Sequence, residues 1–278
     1  MKILTFHQIF LENSFVLSQL LKIPLVQAFD PKDNEVYIIF GAHERAVELY
    51  DIQLKIKVKY IILNSESQES NFLKNKYYLQ ILKNNYVLGY SKEASTYLLN
   101  SFNIHTLSYF NFYFLNPQPE SSYHQFSIDR LFTAGFIGSI TDRRKKIINE
   151  ISVIKDMSVY IDYQSENHNA QKMKNTLSQC TWIINIPFFN HKNFEKHRIN
   201  NALACGCNVV SLSDSLDEET LKEYEDYIYI TDDLVQFFKK PPTIKKKSYI
   251  EFFNSTQNLI LIKQNKWLFE KINSSTII

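Results

Sequence analysis

Two stretches in the C-terminal half of the sequence join cationic side chains to the start of a helix, and both have the makings of an anion site. In the first, the apolar run Leu131–Ile137 gives way to Gly138 and Ser139, then to Asp142-Arg143-Arg144-Lys145-Lys146. A glycine lets the backbone approach a ligand closely. The first turn of a helix presents N–H groups that have no intrahelical acceptor. Arg143 and Arg144 can add fork-shaped, charge-assisted hydrogen bonds to a phosphate. Cations at this end of a helix oppose its dipole, so the pair is unfavourable unless an anion sits among them. A solvated basic turn is the plainer alternative.

The second stretch runs from Glu195 to Val210. On a helix over Phe194–Cys205, Glu195, Arg198 and Ala202 share one side, with Ile199 and Leu203 beside them. Gly206 suits the position just past a helix end, and Val209-Val210 enters a buried strand. The small residues Ala202, Ala204 and Gly206 let the helix lie close to a sheet. Its first turn then falls near the carboxyl ends of the strands, where open α/β sheets bind ligands. Taken alone, the stretch is a helix, a glycine and a strand, with Glu195 complementing the dipole and pairing with Arg198.

Fewer signals occupy the N-terminal half. Gly41-Ala42-His43, Asn64-Ser65-Glu66 and Gly89-Tyr90-Ser91 each follow an apolar run, and His7 follows the first one. All of them lie where strands are expected to end, so all could face one crevice. For each of them an ordinary polar loop role is the alternative.

The elements that must position these residues follow from hydrophobic spacing. Strands are expected at Lys2–Phe6, Val36–Phe40, Tyr60–Leu63, Tyr86–Leu88 and Ile104–Leu107. Helices are expected at Leu11–Leu21, Asn71–Leu82 and from a Ser91 cap through Leu99. Asn116–Ser122, with Pro117 and Pro119, is the best linker. Beyond it the pattern restarts with strands Leu131–Ile137, Ser158–Ile161, Trp182–Ile186, Asn208–Leu212 and Tyr227–Ile230. The helices Asp142–Ile154, Asn169–Leu177, Phe194–Cys205 and Asp232–Lys239 alternate with them, and Ser248–Ile272 is mostly helical. Strand–helix alternation predicts an α/β fold of two Rossmann-like domains, 1–120 and 121–245, with a helical tail over 246–278.

Composition narrows the function classes. Hydrophobic residues make up 45% of the 278, enough for folded cores. A net charge of +2 gives no general attraction to nucleic acid. The three cysteines, Cys180, Cys205 and Cys207, form no disulfide framework and suit a reducing compartment. Cys205 and Cys207 lack the second pair of a zinc site, so they read as buried thiols. The N-terminus has no signal-peptide pattern, and no run of about 18 apolar residues occurs. A cytoplasmic protein is expected. No G-x-G-x-x-G follows any strand, which argues against an NAD-dependent oxidoreductase.

The run Asn201-Ala202-Leu203-Ala204-Cys205-Gly206-Cys207-Asn208-Val209-Val210 resembles the "E-A-x-A-x-G-x-P-V-V" stretch in the donor-binding half of GT-B glycosyltransferases. Asn185-Ile186-Pro187, Arg198 to Ser211, Phe136–Ser139 and Arg143–Ile147 are similar to motifs of one branch of that fold. The resemblance covers roughly residues 131–240 and is weaker over 1–115. It implies two Rossmann-like domains facing a crevice, and transfer of a sugar from a nucleotide sugar, a UDP-sugar first among them, to a glycan or lipid-linked acceptor. It further implies no metal and no cofactor, which agrees with the absence of an Asp-x-Asp triplet. Gly138, Ser139, Arg143, Arg144, Glu195, Arg198 and Asn201 would form the donor site. His43 or Glu66 would serve catalysis from the crevice. Two departures stand out: Asn201 replaces the glutamate that holds the donor ribose, and Asn208 replaces the proline. With Asn201 in that place, a non-catalytic nucleotide-sugar-binding or scaffold protein of the same fold is the alternative function. Lys239-Lys240 and Lys245-Lys246-Lys247, followed by aromatic residues, raise a peripheral contact with the inner face of the membrane. Solvated lysines and a helix packed back on the domains take precedence over it.

Overall fold

The computed structural model of the chain describes residues 1–66, 68, 70–110, 130–162, 170–188, 194–243 and 246–274. The chain divides into two compact units, one of Met1–Phe112 with Thr256–Ile278, the other of Tyr113–Ser255. The expected linker at Asn116–Ser122 lies outside the described residues.

The first unit is built on a six-stranded parallel sheet. Its strands are β1 (Lys2–Thr5), β2 (Leu25–Val26), β3 (Val36–Phe40), β4 (Lys59–Asn64), β5 (Tyr86–Gly89) and β6 (Thr106–Tyr109), in the order β2-β1-β3-β4-β5-β6. β3 is buried along its whole length, as a continuous Val-Tyr-Ile-Ile-Phe run covered on both faces must be. Helices α1 (Leu11–Leu21), α2 (Ala46–Gln53), α3 (Lys76–Asn84) and α4 (Lys92–Phe102) make the crossovers. Ser91 starts α4 by accepting the Ala94 N–H. The expected helix over Asn71–Leu82 is divided, because Asn75 caps Tyr77 and Tyr78 and so begins α3 anew after a short 3-10 turn.

The second unit repeats the plan with strands β7 (Phe132–Ile137), β8 (Val159–Asp162), β9 (Cys180–Asn185), β10 (Asn208–Leu212) and β11 (Tyr229–Thr231). They are parallel, in the order β11-β10-β9-β7-β8. Helices α5 (Asp142–Ser152), α6 (Ala170–Ser178), α7 (Lys196–Ala204), α8 (Glu218–Tyr224), α9 (Leu234–Lys239) and α10 (Tyr249–Phe253) accompany them. The chain leaves β7 for one neighbour, β8, and later returns to its other side as β9. The carboxyl ends of β7 and β9 therefore flank the topological switch point, the place where such sheets open a crevice.

The expected C-terminal helix is also two. Ser248 and Glu251 form a reciprocal cap that starts α10, which ends at Asn254 in the second unit. Helix α11 (Thr256–Ser274) instead groups with the first unit and seats on its edge strand. There Asn265 donates to the Tyr109 carbonyl at 3.0 Å and accepts from the Ser108 hydroxyl at 3.0 Å. No described helix is long and apolar enough to cross a membrane.

Candidate functional site

At the switch point of the second sheet two buried guanidinium groups meet. Thr141 caps α5 by accepting the Arg144 N–H, which fixes where the Arg144 side chain leaves the helix. Arg144 is only 1% exposed. Its Nε and Nη2 donate to the Ile186 carbonyl at 3.0 and 2.6 Å, and its Nη1 donates to the Ser139 carbonyl at 2.7 Å. One guanidinium thus ties the loop after β7 to the end of β9. Nη2 also meets Glu195 Oε1 at 2.8 Å.

Arg198 comes from the first turn of α7 and is 8% exposed. It ion-pairs with Glu195 Oε2 and lies 3.4 Å from Asn185 Oδ1. The Glu195 contact is not aligned for a hydrogen bond, so Oε2 has no donor among the described residues. Behind Arg198 a buried chain continues from Asn185 Nδ2 to Ser211 Oγ at 2.9 Å, and from Ser211 to Ser215 at 2.8 Å. Burial pulls the Arg198 guanidinium down to about 10, against the Glu195 carboxylate, which raises it, and with Arg144, which lowers it further. It stays protonated at neutral pH.

Gly138 makes this arrangement sterically feasible. Its φ is +144°, and a Cβ there would come within 2.4 Å of Arg198 Nη2 and 3.5 Å of Arg144 Nη1. Phe136 lies under both cations, its ring centre 5.2 Å from Arg144 Cζ and 5.3 Å from Arg198 Cζ. The cluster holds two positive charges against the single carboxylate of Glu195. A surplus buried cation is costly unless an anion joins it.

In the first unit, a different group stands at the carboxyl ends of β1, β3 and β4. His43 is buried, its ring centre 4.2 Å from that of Phe72. Its Nδ1 lies 3.2 Å from Glu66 Oε1 and its Nε2 3.5 Å from Glu44 Oε1. Glu66 also accepts from Ser70 Oγ at 2.5 Å and Ser65 Oγ at 3.1 Å. The Nδ1 of His7 accepts the Ile9 N–H at 3.2 Å, and its Nε2 is 3.9 Å from Glu44 Oε1. Burial lowers the His7 imidazole below its usual range; Glu44 and Glu66 oppose that shift and His43 adds to it.

Two solved structures resemble the chain over almost its whole length. The DNA-modifying enzyme β-glucosyltransferase, whose substrate is uridine diphosphoglucose, aligns with 99% of this chain and 95% of its own, at a TM-score of 0.56 and 11% identity. An α1,3-fucosyltransferase aligns with 100% of this chain and 91% of its own, at a TM-score of 0.51 and 13% identity. The chain has a GT-B glycosyltransferase-like fold. No protein-family model and no curated protein matches the sequence.

Within this GT-B-like fold, the residues singled out from the sequence separate into groups. Gly138, Ser139, Arg144, Glu195 and Arg198 come together at one point. Arg143 does not join them: it turns outward and pairs with Asp214 after β10. Adjacent helical positions diverge by about 100°, so only one arginine of the pair can enter the cluster. Asn201, 0% exposed, faces α6, its Nδ2 3.2 Å from His197 Nε2 and 3.4 Å from the Met173 sulfur. Its Oδ1 has no hydrogen-bond partner among the described residues. In the first unit His43 and Glu66 are in direct contact. Phe136 belongs to the Phe136–Ser139 motif read from the sequence, but sequence reasoning missed Glu44 and Arg130, whose guanidinium closes the end of α7 through the Cys205 and Gly206 carbonyls at 3.0 and 2.8 Å. For Arg130 the signal was a cation just ahead of the first strand of the unit; for Glu44 no local signal exists. Among the described residues, no three His, Cys, Asp or Glu side chains are grouped to hold a metal.

Proposed function

We propose that the chain is a glycosyltransferase that moves a sugar from a nucleotide sugar, a UDP-sugar in the first instance, to a hydroxyl of a glycan or lipid-linked acceptor. The unit containing β7–β11 would take the donor, and the unit containing β1–β6 the acceptor. The observation that carries the reading is the Arg144–Glu195–Arg198 cluster at the switch point, with a surplus positive charge and a glycine facing it. A diphosphate supplies the anion that such a cluster lacks. As the glycosidic bond to the donor breaks, charge builds on the diphosphate, and fixed guanidinium groups stabilise it without reorganising. Those cations are the reason the reaction is read as metal-independent. The GT-B-like fold, shared with two sugar-transferring enzymes, supports the same reading. His43 and Glu66 are proposed to serve catalysis from the first unit. The free, buried cysteines support a reducing, cytoplasmic setting, and the basic segment around Lys239, Lys240, Lys246 and Lys247 would bring the protein to the inner membrane face.

One observation favours the second reading, a nucleotide-sugar-binding protein without turnover. Asn201 offers a buried amide where the family resemblance calls for a carboxylate. Thermal unfolding with UDP, GDP and CMP tests the first step. Wild type is expected to be stabilised by at least one of them, and Arg198→Ala by markedly less. If no nucleotide stabilises wild type, the donor site is refuted. Stabilisation by a nucleotide sugar that is neither hydrolysed nor transferred would favour the binding protein.

A further inference from the structure

The proton-transfer residue of the first unit need not be either of the two that the sequence pointed to. Glu66 has its carboxylate held on three sides: Ser65 Oγ donates to Oε1, Ser70 Oγ donates to Oε2, and His43 Nδ1 lies 3.2 Å from Oε1. Its own backbone is held as well, the Glu66 carbonyl accepting from Asn64 Nδ2 at 3.2 Å. It is a fixed anchor. His43 is buried between Phe72 and Tyr78, whose ring centres are 4.2 and 6.0 Å away. Of the two carboxylates beside the ring, Glu66 is the nearer, at 3.2 against 3.5 Å, and the more buried, so the proton of a neutral His43 belongs on Nδ1, facing Glu66. That leaves the Nε2 lone pair facing Glu44 Oε1 at 3.5 Å.

Two acceptor atoms in that position repel until a proton comes between them. Glu44 is the exposed member, its side chain 41% accessible against 14% for Glu66 and 6% for His43. On its other side, His7 keeps its Nδ1 lone pair on the Ile9 N–H, so its Nε2 carries a hydrogen directed at the same Glu44 oxygen. Gly41 allows the juxtaposition. It is left-handed at φ +69°, and a Cβ there would lie 3.0 Å from His7 Cβ. Glu44 also lines an open groove of about 520 Å³ that runs along α2 past Glu48, Asp51 and Lys55 to Asn75. The lining mixes carboxylates, cations and an amide with the apolar Ala46, Val47 and Ile52, a surface that can meet both the hydroxyls and the apolar face of a sugar ring.

We infer that Glu44 takes the proton from the acceptor hydroxyl, with His43 and Glu66 as positioning residues behind it and the α2 groove as the seat of a carbohydrate acceptor. The inference rests on the proposed glycosyl transfer. In the step, the acceptor oxygen forms a bond to the anomeric carbon of the donor sugar. The bond from that carbon to the diphosphate breaks, and its electron pair leaves with the diphosphate. The proton of the acceptor hydroxyl passes to Glu44 and is then shared with His43 Nε2, whose resulting positive charge is met by Glu66. This is the base-and-orienter logic of a catalytic triad, with a carboxylate at the outer end. A single displacement of this kind inverts the anomeric centre.

Two measurements on the full chain test it. Nitrogen-15 NMR of the histidine side chains needs no donor. His43 is expected with its proton on Nδ1 in wild type, and that signature should be lost in Glu66→Gln. A neutral His43 protonated on Nε2 would overturn the inference. The second measurement is turnover of UDP-glucose, UDP-galactose and UDP-N-acetylglucosamine with water as acceptor. Glu44→Gln should lower kcat at least 100-fold and leave UDP affinity within twofold. Turnover within threefold of wild type, or a product that retains the donor's anomeric configuration, would overturn it. Failure of wild type to bind any nucleotide would refute the donor site, and with it the glycosyl transfer on which the inference rests, whichever tautomer His43 shows.

Discussion

The two units present the same platform, the carboxyl ends of parallel strands, and load it with opposite chemistry. In the second unit the charges are permanent. Arg144 and Arg198 are buried, held by carbonyls, an amide and one carboxylate, and Arg198, drawn down to about 10, stays protonated at neutral pH. In the first unit the charges are exchangeable. Two imidazoles alternate with two carboxylates in the order His7, Glu44, His43, Glu66. A fixed cation suits a ligand whose negative charge grows during reaction. A titratable chain suits a group that must lose a proton. The pairing of the two on one chain is what a group-transfer enzyme requires, and each half can be broken separately.

The largest effect is expected at Arg144. Removing its guanidinium leaves the Ile186 and Ser139 carbonyls without their donor and Glu195 with one cation in place of two. Breaking such a buried network costs about 3–5 kcal/mol, a fall in Tm on the order of 10 °C. Arg144→Ala should show it in thermal unfolding, and Arg144→Lys should recover little, because an ammonium cannot span the carbonyls as a planar fork does. A Tm within 2 °C of wild type, roughly half a kcal/mol on the same scale, would show that the cluster is not what holds the β7 loop to β9.

Gly138→Ala comes next. The backbone is left-handed at φ +144° and the added methyl meets Arg198 Nη2 at 2.4 Å. Strain of this kind costs about 1–3 kcal/mol, and Arg198 must move to relieve it. Loss of stabilisation by UDP should therefore accompany the lower Tm. Arg198→Ala sharpens the point, since Glu195 keeps its contact with Arg144 and the fold survives. One charge-assisted hydrogen bond is worth about 1.5–3 kcal/mol, so calorimetry should find UDP bound roughly 10- to 100-fold more weakly. An unchanged affinity would separate the arginine cluster from the donor.

The two clusters were unequally legible in the sequence, and the reason is physical. Runs buried on both faces declare themselves: β3 and β10 have the limits their apolar residues predict. Helices α2 and α8 and the two-residue β2 were not foreseen. Helix α2 begins at Arg45 without a capping side chain, and α8 is a polar segment whose one signal is the Asp217 cap. The arginine site was legible because a cation at a helix start is a local anomaly. The sequence could not say which of Arg143 and Arg144 turns inward, since the register of α5 is set by the Thr141 cap. Glu44 carries no anomaly of its own. It acquires a role only when the turn at Gly41 brings the ends of β1, β3 and β4 together, and that contact exists in three dimensions alone.

The smallest effect separates the clusters by pH. Burial holds the His7 imidazole below its usual range in the folded protein, so the unfolded chain binds that proton more readily. Stability is therefore unaffected by His7 above its ordinary value of 6.5 and declines as pH falls from there through the folded value. Wild type should lose Tm steadily between about pH 6.5 and pH 5, and His7→Gln should lose less over the same interval. The arginine cluster adds nothing to that slope, because Arg198, even drawn down to about 10, is protonated throughout. Equal slopes for the two proteins would mean that His7 exchanges its proton as freely in the folded state as in the unfolded one. The His7 N–H facing Glu44 would then be no fixed part of the relay.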